Sequence, residues 1–271
     1  MSESPVNLYA QETETRLLVP LLPHVEKSFV DIGAEKGGFA SFLIGRGFSG
    51  ALFEPLPKHQ PALEKLIQGT AARAFPFAID ERDGHAEFHI ACDEKGDPLD
   101  YFHSLHRLEN DDRVHHRQKI PVVCRSLESL RREGLVPARL GVLKTDTEGN
   151  DLRVLRGLGA VRPEIVICEF FTPGVYNGWP DAEPLGLMAE VRSRLGLARC
   201  LAIRRRKSAE VVSVDPVAFT DQEWGNLIFL SEALFQKTAT AFGAVVRGVD
   251  ERLFQLIEEP RKKKKRSWWR R

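Results

Sequence analysis

The sequence predicts an α/β fold: a doubly wound, mostly parallel sheet with an antiparallel last strand and added terminal helices. Three observations predict it. Short apolar runs of strand length alternate with helical stretches from Phe29 to about Cys168, the order that builds a parallel sheet covered on both faces. Two extended runs, 199–204 and 224–230, close the pattern as paired strands. The first apolar run passes straight into a glycine turn, Asp31-Ile32-Gly33-Ala34-Glu35-Lys36-Gly37-Gly38, and then into a helix. A strand feeding a helix through such a turn aims free backbone N–H groups above the carboxyl end of the sheet, where open α/β folds bind ligands.

The elements follow in order. Residues 8–22 predict an amphipathic helix, with Leu17, Leu18, Leu21 and Leu22 toward its apolar side and Pro20 and Pro23 closing it. Its expected job is to lid or buttress the first strand. Residues 29–32 are that strand. Residues 37–46 form the first core helix, stopped by Gly47, and residues 51–54 the second strand. A helix over 57–67 ends at Gln68-Gly69, and 74–79 reads as one third strand ending in Asp80. Residues 86–90 alternate as an extra hairpin strand would. The stretch 92–119 is irregular, charged and rich in histidine, which predicts a polar loop over the active edge or a substrate lid. Then come a strand (120–124), a helix opened by Ser126, a core strand (140–145), a helix (150–158), a buried strand (163–171) and a helix (184–195). Residues 211–213 are extended, and 231–259 add terminal helical material.

Length and composition set the frame. The 271 residues suffice for one large α/β domain with appendages or for two small domains. Hydrophobic content of 42% and charged content of 28% are those of a globular chain. No apolar run approaches the roughly 20 residues of a membrane-spanning helix, and Met1 to Asn7 lacks a basic-then-apolar signal pattern. Cys92, Cys124, Cys168 and Cys200 are widely spaced with no Cys-x-x-Cys pair, so a reduced, cytoplasmic protein without structural zinc is expected. The net charge of +1 hides an asymmetry: residues 261–271 carry eight basic side chains and no acid, leaving −7 for the rest. A mildly acidic body speaks against a nucleic-acid-binding domain.

The glycine turn carries the first site residues. Gly33 lets the backbone turn sharply, and Gly37 lets a ligand or the next helix approach closely. A dinucleotide fold would place glycine where Asp31 stands, because a pyrophosphate lies against that turn. A carboxylate repels a pyrophosphate and suits a cationic ligand, such as the ammonium and sulfonium of S-adenosylmethionine. Glu54 lies 23 residues beyond Asp31 at the end of the second strand, the position from which a βαβ unit offers a carboxylate to a ribose diol. Asp80 is a candidate for an adenine amino group, with a surface turn as the other reading. The core strand ending at Thr145 runs into Asp146-Thr147-Glu148-Gly149-Asn150-Asp151, which places carboxylates at the mouth of the sheet. Asp146 is the first candidate for a general base or an acceptor-orienting group, and Glu148 the second, with turn-shaping as its alternative. Two such carboxylates could hold a divalent metal, but no metal ligand set is predicted, and neither His103 nor His106 has a partner spaced to complete one.

These residues together resemble the FkbM family of S-adenosylmethionine-dependent methyltransferases. The resemblance rests on Val30-Asp31-Ile32-Gly33-Ala34 with Gly37, on Phe53-Glu54-Pro55, and on Leu143-Lys144-Thr145-Asp146-Thr147-Glu148-Gly149. Leu155-Arg156-Gly157 and the run Arg162 to Glu169 complete it, so that about residues 27 to 171 are covered. It implies a class I methyltransferase fold, Rossmann-like, and O-methylation of hydroxyls on sugars and secondary metabolites. Glu35, where the family usually has Asn, and Thr145, where Ile or Val is commoner, depart from the pattern without removing a carboxylate.

The domain organisation expected is an N-terminal helical segment (1–26), an FkbM-like methyltransferase domain (27–235), a C-terminal helix (236–260) and a basic, Trp-containing tail (261–271) expected to be disordered. The leading reading is an O-methyltransferase acting on a small-molecule, sugar or glycan acceptor. Its competitors are a nicotinamide dehydrogenase, opposed by Asp31 and the glycine spacing, and a non-catalytic module attached to a membrane or partner through the tail. The tail reads as a solubilising end, as an RNA contact, or as a peripheral contact with an anionic membrane at the inner surface. Lysine and arginine draw it to such a surface, and Trp268 and Trp269 suit the headgroup level.

Overall fold

The computed structural model describes residues 12–107, 114–175, 180–206 and 209–241. A large sheet organises them. Its strands are β1 (Ser28–Ile32), β2 (Ser49–Phe53), β3 (Arg73–Phe75), β7 (Arg139–Thr145), β8 (Arg162–Phe171), β9 (Arg199–Arg206), β10 (Ala209–Val214) and β11 (Trp224–Leu230). Their order across the sheet is β10-β9-β11-β8-β7-β1-β2-β3. Pairing is parallel from β3 through β8, and β11 lies antiparallel to both β8 and β9. The doubly wound, mostly parallel sheet with an antiparallel last core strand is therefore what the chain builds.

Alternation of side chains along each strand assigns the two faces. Phe29, Leu52, Val142, Ile165 and Ile228 face one way, where they meet Leu17 and Leu18 of α1 (Glu12–Leu18), Phe39 and Leu43 of α2 (Gly38–Ile44) and Leu63 of α3 (Gln60–Ile67). Val30, Phe53, Leu143, Val166 and Phe229 face the other way. They meet Leu127 and Leu130 of α4 (Leu127–Arg132), Val154 and Leu155 of α5 (Asp151–Arg156) and Leu187, Met188 and Val191 of α6 (Pro184–Leu195). Each side chain so buried stabilises the fold by roughly 1.5–3 kcal/mol. The helix ends follow local chemistry. The Ser126 hydroxyl accepts from the Ser129 N–H to cap α4, and the Glu183 carboxylate accepts from Leu185 and Gly186 to cap α6 ahead of Pro184. The N-terminal helix packs Leu17 and Leu18 into the apolar layer on this face, and the polar contacts of its Thr13 and Glu14 run to β10 and β9 and not to β1; Leu17, Leu18, Leu21 and Leu22 are all buried.

Three details differ from expectation. The stretch 74–79 is not one strand: β3 ends at Phe75, and Ala78–Ile79 (β4) belongs to a second sheet of order β4-β6-β5. Pro76 falls at the break, and without an N–H it cannot continue a ladder. The irregular region is also shorter than expected, because β5 (Gly84–Cys92) pairs antiparallel with β6 (His115–Arg125) along its whole length. Of the helix expected over 8–22, residues 8–11 lie outside the described residues, and the rest is a helix at Glu12–Leu18 followed by a 3-10 turn at Leu22–His24. Residues 232–241 are helical. The remainder of the expected C-terminal helix and the basic tail, 261–271, lie outside the described residues. No described helix is long and apolar enough to cross a membrane.

Candidate active site

A cavity of about 550 Å³ opens at the carboxyl ends of β1, β2, β7 and β8. That volume lies within the range of small-molecule sites. Two turns build its floor. Gly33 has φ +72°, and a Cβ there would lie 1.9 Å from the carbonyl oxygen of Asp146, so the turns after β1 and β7 touch through backbone. Glu35 takes the left-handed conformation (φ +50°), uncommon for a non-glycine residue. Its N–H donates to Glu54 Oε2 at 2.9 Å, and Leu56 N–H donates to Glu54 Oε1 at 2.9 Å. Glu54 is thus fixed at the end of β2, 5% exposed, and lines the cavity together with Gly33.

The turn after β7 is held by Asp151. Its carboxylate accepts from the hydroxyls of Thr145 and Thr147, the latter at 2.6 Å, and from the Glu169 N–H at 3.1 Å. Asn150 donates to the Ile79 carbonyl at 3.1 Å. So fixed, Asp146 and Glu148 both line the cavity, and Glu169 at the end of β8 joins them. One oxygen from each of the three lies within 4.8 Å of the others. A divalent cation could be held at that spacing, yet Lys144 already brings positive charge, its Nζ 3.0 Å from Asp146 Oδ2. Burial and the Asp146 charge push the Glu148 carboxyl up to about 8. Burial, with the charges of Asp146 and Glu148, raises Glu169 well above the carboxylate range. Glu148 Oε1 accepts from the Phe102 N–H at 3.2 Å, while Glu148 Oε2 and Glu169 Oε2 are buried without a hydrogen-bond partner among the described residues. Glu148 also has φ +51°, a second strained position in the site.

Three expected donor-binding residues do not line the cavity. Asp31 is fully buried behind Lys144, whose Nζ is 3.7 Å from Asp31 Oδ1. Burial, opposed by Lys144, raises the Asp31 carboxyl to about 6. Burial works against the Lys144 ammonium, but Asp146 and Asp31 outweigh it and hold the group above its ordinary range. The side chain that meets the cavity in place of Asp31 is therefore Lys144. Gly37 (φ +80°) faces α3: a Cβ there would come 2.3 Å from Leu66, so the element that approaches it closely is a helix. Asp80 is spent on Arg153, accepting from Nε at 2.7 Å and Nη2 at 3.0 Å. Those bonds outweigh the effect of burial and keep its carboxyl low.

The histidines divide as well. His103 lines the cavity and accepts from the Ala91 N–H at Nδ1, 2.9 Å. Burial and the nearby Lys58 ammonium lower it to about 4, which keeps it neutral. His106 lies outside the lining, with Nε2 3.0 Å from Asn150 Oδ1. Sequence reasoning missed Lys144 and Glu169 as members of the site, although both sit at strand ends inside the motifs it used. It also missed Glu14, Arg205 and Asn226, which line the cavity from α1, β9 and β11 and carry no local signal.

Residues 31–217 match the family described as "Methyltransferase FkbM domain". A search of curated proteins finds no match. Among solved structures, a precorrin 8W decarboxylase from Methanobacterium thermoautotrophicum is similar at 15% identity, with 84% of this chain and 92% of that one covered and a TM-score of 0.41. A precorrin-6y C5,15-methyltransferase from Geobacter metallireducens is similar at 10% identity, 86% and 94% coverage and a TM-score of 0.41. An O-methyltransferase family protein from Burkholderia thailandensis is similar at 11% identity, 81% and 55% coverage and a TM-score of 0.41. These likenesses are too loose to carry function. The family match spans well over half the chain and includes both cavity turns, so the protein belongs to the FkbM family of S-adenosylmethionine-dependent methyltransferases.

Proposed function

We propose that this methyltransferase acts on a hydroxyl oxygen of a sugar, glycan or secondary metabolite. The observation that carries the reading is the convergence of Asp146, Glu148 and Glu169 at the ends of two adjacent strands, one cavity wall away from Gly33 and Glu54. An alcohol is a weak nucleophile that must lose a proton as it reacts, and a positioned carboxylate takes it.

S-adenosylmethionine supplies an electrophilic methyl group on a sulfonium. The residues present fit it. Glu54 offers a rigidly held carboxylate for the ribose diol, the backbone at Gly33 leaves room for close approach, and Lys144 offers a cation for the carboxylate of the methionine part. The seven acidic side chains of the lining suit the ammonium and the sulfonium. The chain's contribution to the chemistry is alignment and proton removal. Asp146, tied to Lys144, orients the acceptor hydroxyl. Glu148, which lines the cavity beside Asp146, takes the proton. With the donor bound, its sulfonium would give up the methyl group to the acceptor oxygen and leave as a thioether, and the Glu148 carboxylate would hold the proton released. Phe39, Phe53 and Phe102 in the lining keep water from competing.

The test is incubation of cell extracts with methyl-labelled donor, with and without the protein, read by mass spectrometry. An O-methylated product that needs the protein supports the reading. Label on nitrogen or carbon alone contradicts it.

A further inference from the structure

The cavity extends past the carboxylate cluster along a polar row. Glu169 on β8 is paired across the sheet with Asn226 on β11. Asn226 Oδ1 accepts from Arg205 Nη1 of β9 at 2.9 Å, and Arg205 Nη2 donates to Glu14 Oε1 of α1 at 2.7 Å. Arg205 Nε also donates to Glu210 at 2.7 Å, and Thr13 donates to the same Glu210, so α1 is clamped onto the β9–β10 edge. Glu14 is only 2% exposed, lines the cavity, and its Oε2 has no hydrogen-bond partner among the described residues. A buried carboxylate oxygen without a partner is costly to keep. The ion pair to Arg205 uses Oε1 and leaves Oε2 for another donor.

The charge of the cavity says what such an oxygen would receive. Seven acidic and two basic residues line it. Both bases are engaged: Lys144 with Asp31 and Asp146, and Arg205 with Glu14 and Glu210. An anionic acceptor would find mostly like charge along the row, where the one arginine is already held by Glu14 and Glu210. Trp224 and Phe171 lie across from one another on β11 and β8 and both line the cavity, offering aromatic faces to an apolar face of the bound molecule.

We infer that Glu14 is a specificity-determining residue, receiving a hydrogen bond from a hydroxyl or amine of the acceptor remote from the methylated oxygen, and that the acceptor is a neutral or amine-bearing polyhydroxylated molecule, not a phosphorylated or carboxylated one. Glu14 lies before the family-matched residues, which begin at 31. The inference rests on the reading of the cavity as a joint donor and acceptor site.

The experiment uses the full chain, methyl-labelled donor and a cell extract split by ion exchange into neutral, cationic and anionic small-molecule fractions. Glu14→Ala and Glu14→Gln are compared with wild type, and calorimetry with S-adenosylhomocysteine and a melting curve accompany each protein. Label is expected in the neutral or cationic fraction. Glu14→Ala is expected to lower the rate at limiting extract at least tenfold and to recover as extract is raised, a KM effect, with S-adenosylhomocysteine affinity within twofold of wild type. Glu14→Gln, which keeps the length and one acceptor oxygen, guards against a folding artefact. Its rate falls with Glu14→Ala if the bound group is an amine and stays closer to wild type if it is a hydroxyl. Label confined to the anionic fraction, or a folded Glu14→Ala with unchanged rate at limiting extract, overturns the inference and leaves the methyltransferase reading standing. No label in any fraction with donor affinity intact overturns the acceptor reading and this inference together, and absence of donor affinity removes the donor site itself.

Discussion

Lys144 and Asp146 stand two residues apart at the end of β7, with Nζ 3.0 Å from Oδ2, and the same ammonium reaches back to the buried Asp31 at 3.7 Å. The pair links the interior of the sheet to the cavity. Lys144→Met leaves the carboxylate of Asp31, whose side chain is 1% exposed, without a counter-charge. Removing one partner of a buried pair costs about 3–5 kcal/mol, so urea unfolding should show a loss of that order. Adding Asp31→Asn should restore part of it. A loss below about 0.5 kcal/mol would mean that the two groups are not coupled in solution.

Gly33 and Gly196 separate conformation from contact. Both have positive φ, +72° and +67°, but a Cβ on Gly196 meets nothing within 4 Å while one on Gly33 strikes the Asp146 carbonyl. Gly196→Ala should therefore cost only the left-handed strain, about 1–2 kcal/mol. Gly33→Ala should cost more than that and weaken binding of S-adenosylmethionine, because the turn after β7 must move. Equal melting temperatures for the two variants would contradict the close approach.

Stability should respond to pH in a direction set by the raised carboxyls. Asp31 at about 6 and Glu148 at about 8 both bind protons more tightly in the folded chain than unfolded. A group with a raised folded pKa contributes stability that is fully present below its unfolded value and is lost as pH rises through the folded value. The melting temperature should accordingly fall between about pH 6.5 and pH 8, above the range in which His89, His103 and His116, lowered mainly by burial, act in the opposite direction. The upper part of that fall should flatten in Glu148→Gln. A wild-type melting temperature that climbs across the same window would contradict the burial of uncompensated carboxyls.

Much of this arrangement was legible in the sequence, for identifiable reasons. Phe29 to Ile32 and Leu140 to Thr145 are apolar apart from Asp31, Lys144 and Thr145 near their carboxyl ends, as strands buried on both faces should be, and each runs into a turn rich in glycine or carboxylate. Glu54 and Asp146 could be placed because a parallel strand delivers its last residues to one edge. What was not legible depends on partners far away in the chain. Asp31 was assigned to a ligand because nothing nearby in sequence competes for it, whereas in space Lys144 does. Asp80 meets Arg153, 73 residues on. Gly37 serves the packing of Leu66, which periodicity places on a helix but not against a particular glycine. Pro76 was a visible break in the expected third strand and was passed over. Glu14 and Arg205 are separated by 191 residues, and no local pattern could have joined them.

The tail, residues 261–271, carries its own prediction from composition. Each basic residue near an anionic surface contributes on the order of 1 kcal/mol, and the Trp pair adds interfacial affinity. The full chain should sediment with anionic vesicles at low salt, less so at high salt, and not with neutral ones. A chain ending at Pro260 should do neither. Equal sedimentation of the two chains would leave the tail without a membrane role.

We propose that the donor lies in the cavity against the turn at Gly33 and the carboxylate of Glu54. Calorimetric titration of S-adenosylmethionine into wild type and Glu54→Ala tests it most directly, with circular dichroism verifying that the variant is folded. Loss of hydrogen bonds to a charged group is worth about 1.5–3 kcal/mol, so wild type should bind and the variant should bind about 10- to 100-fold more weakly. A folded Glu54→Ala that binds S-adenosylmethionine as tightly as wild type would contradict it.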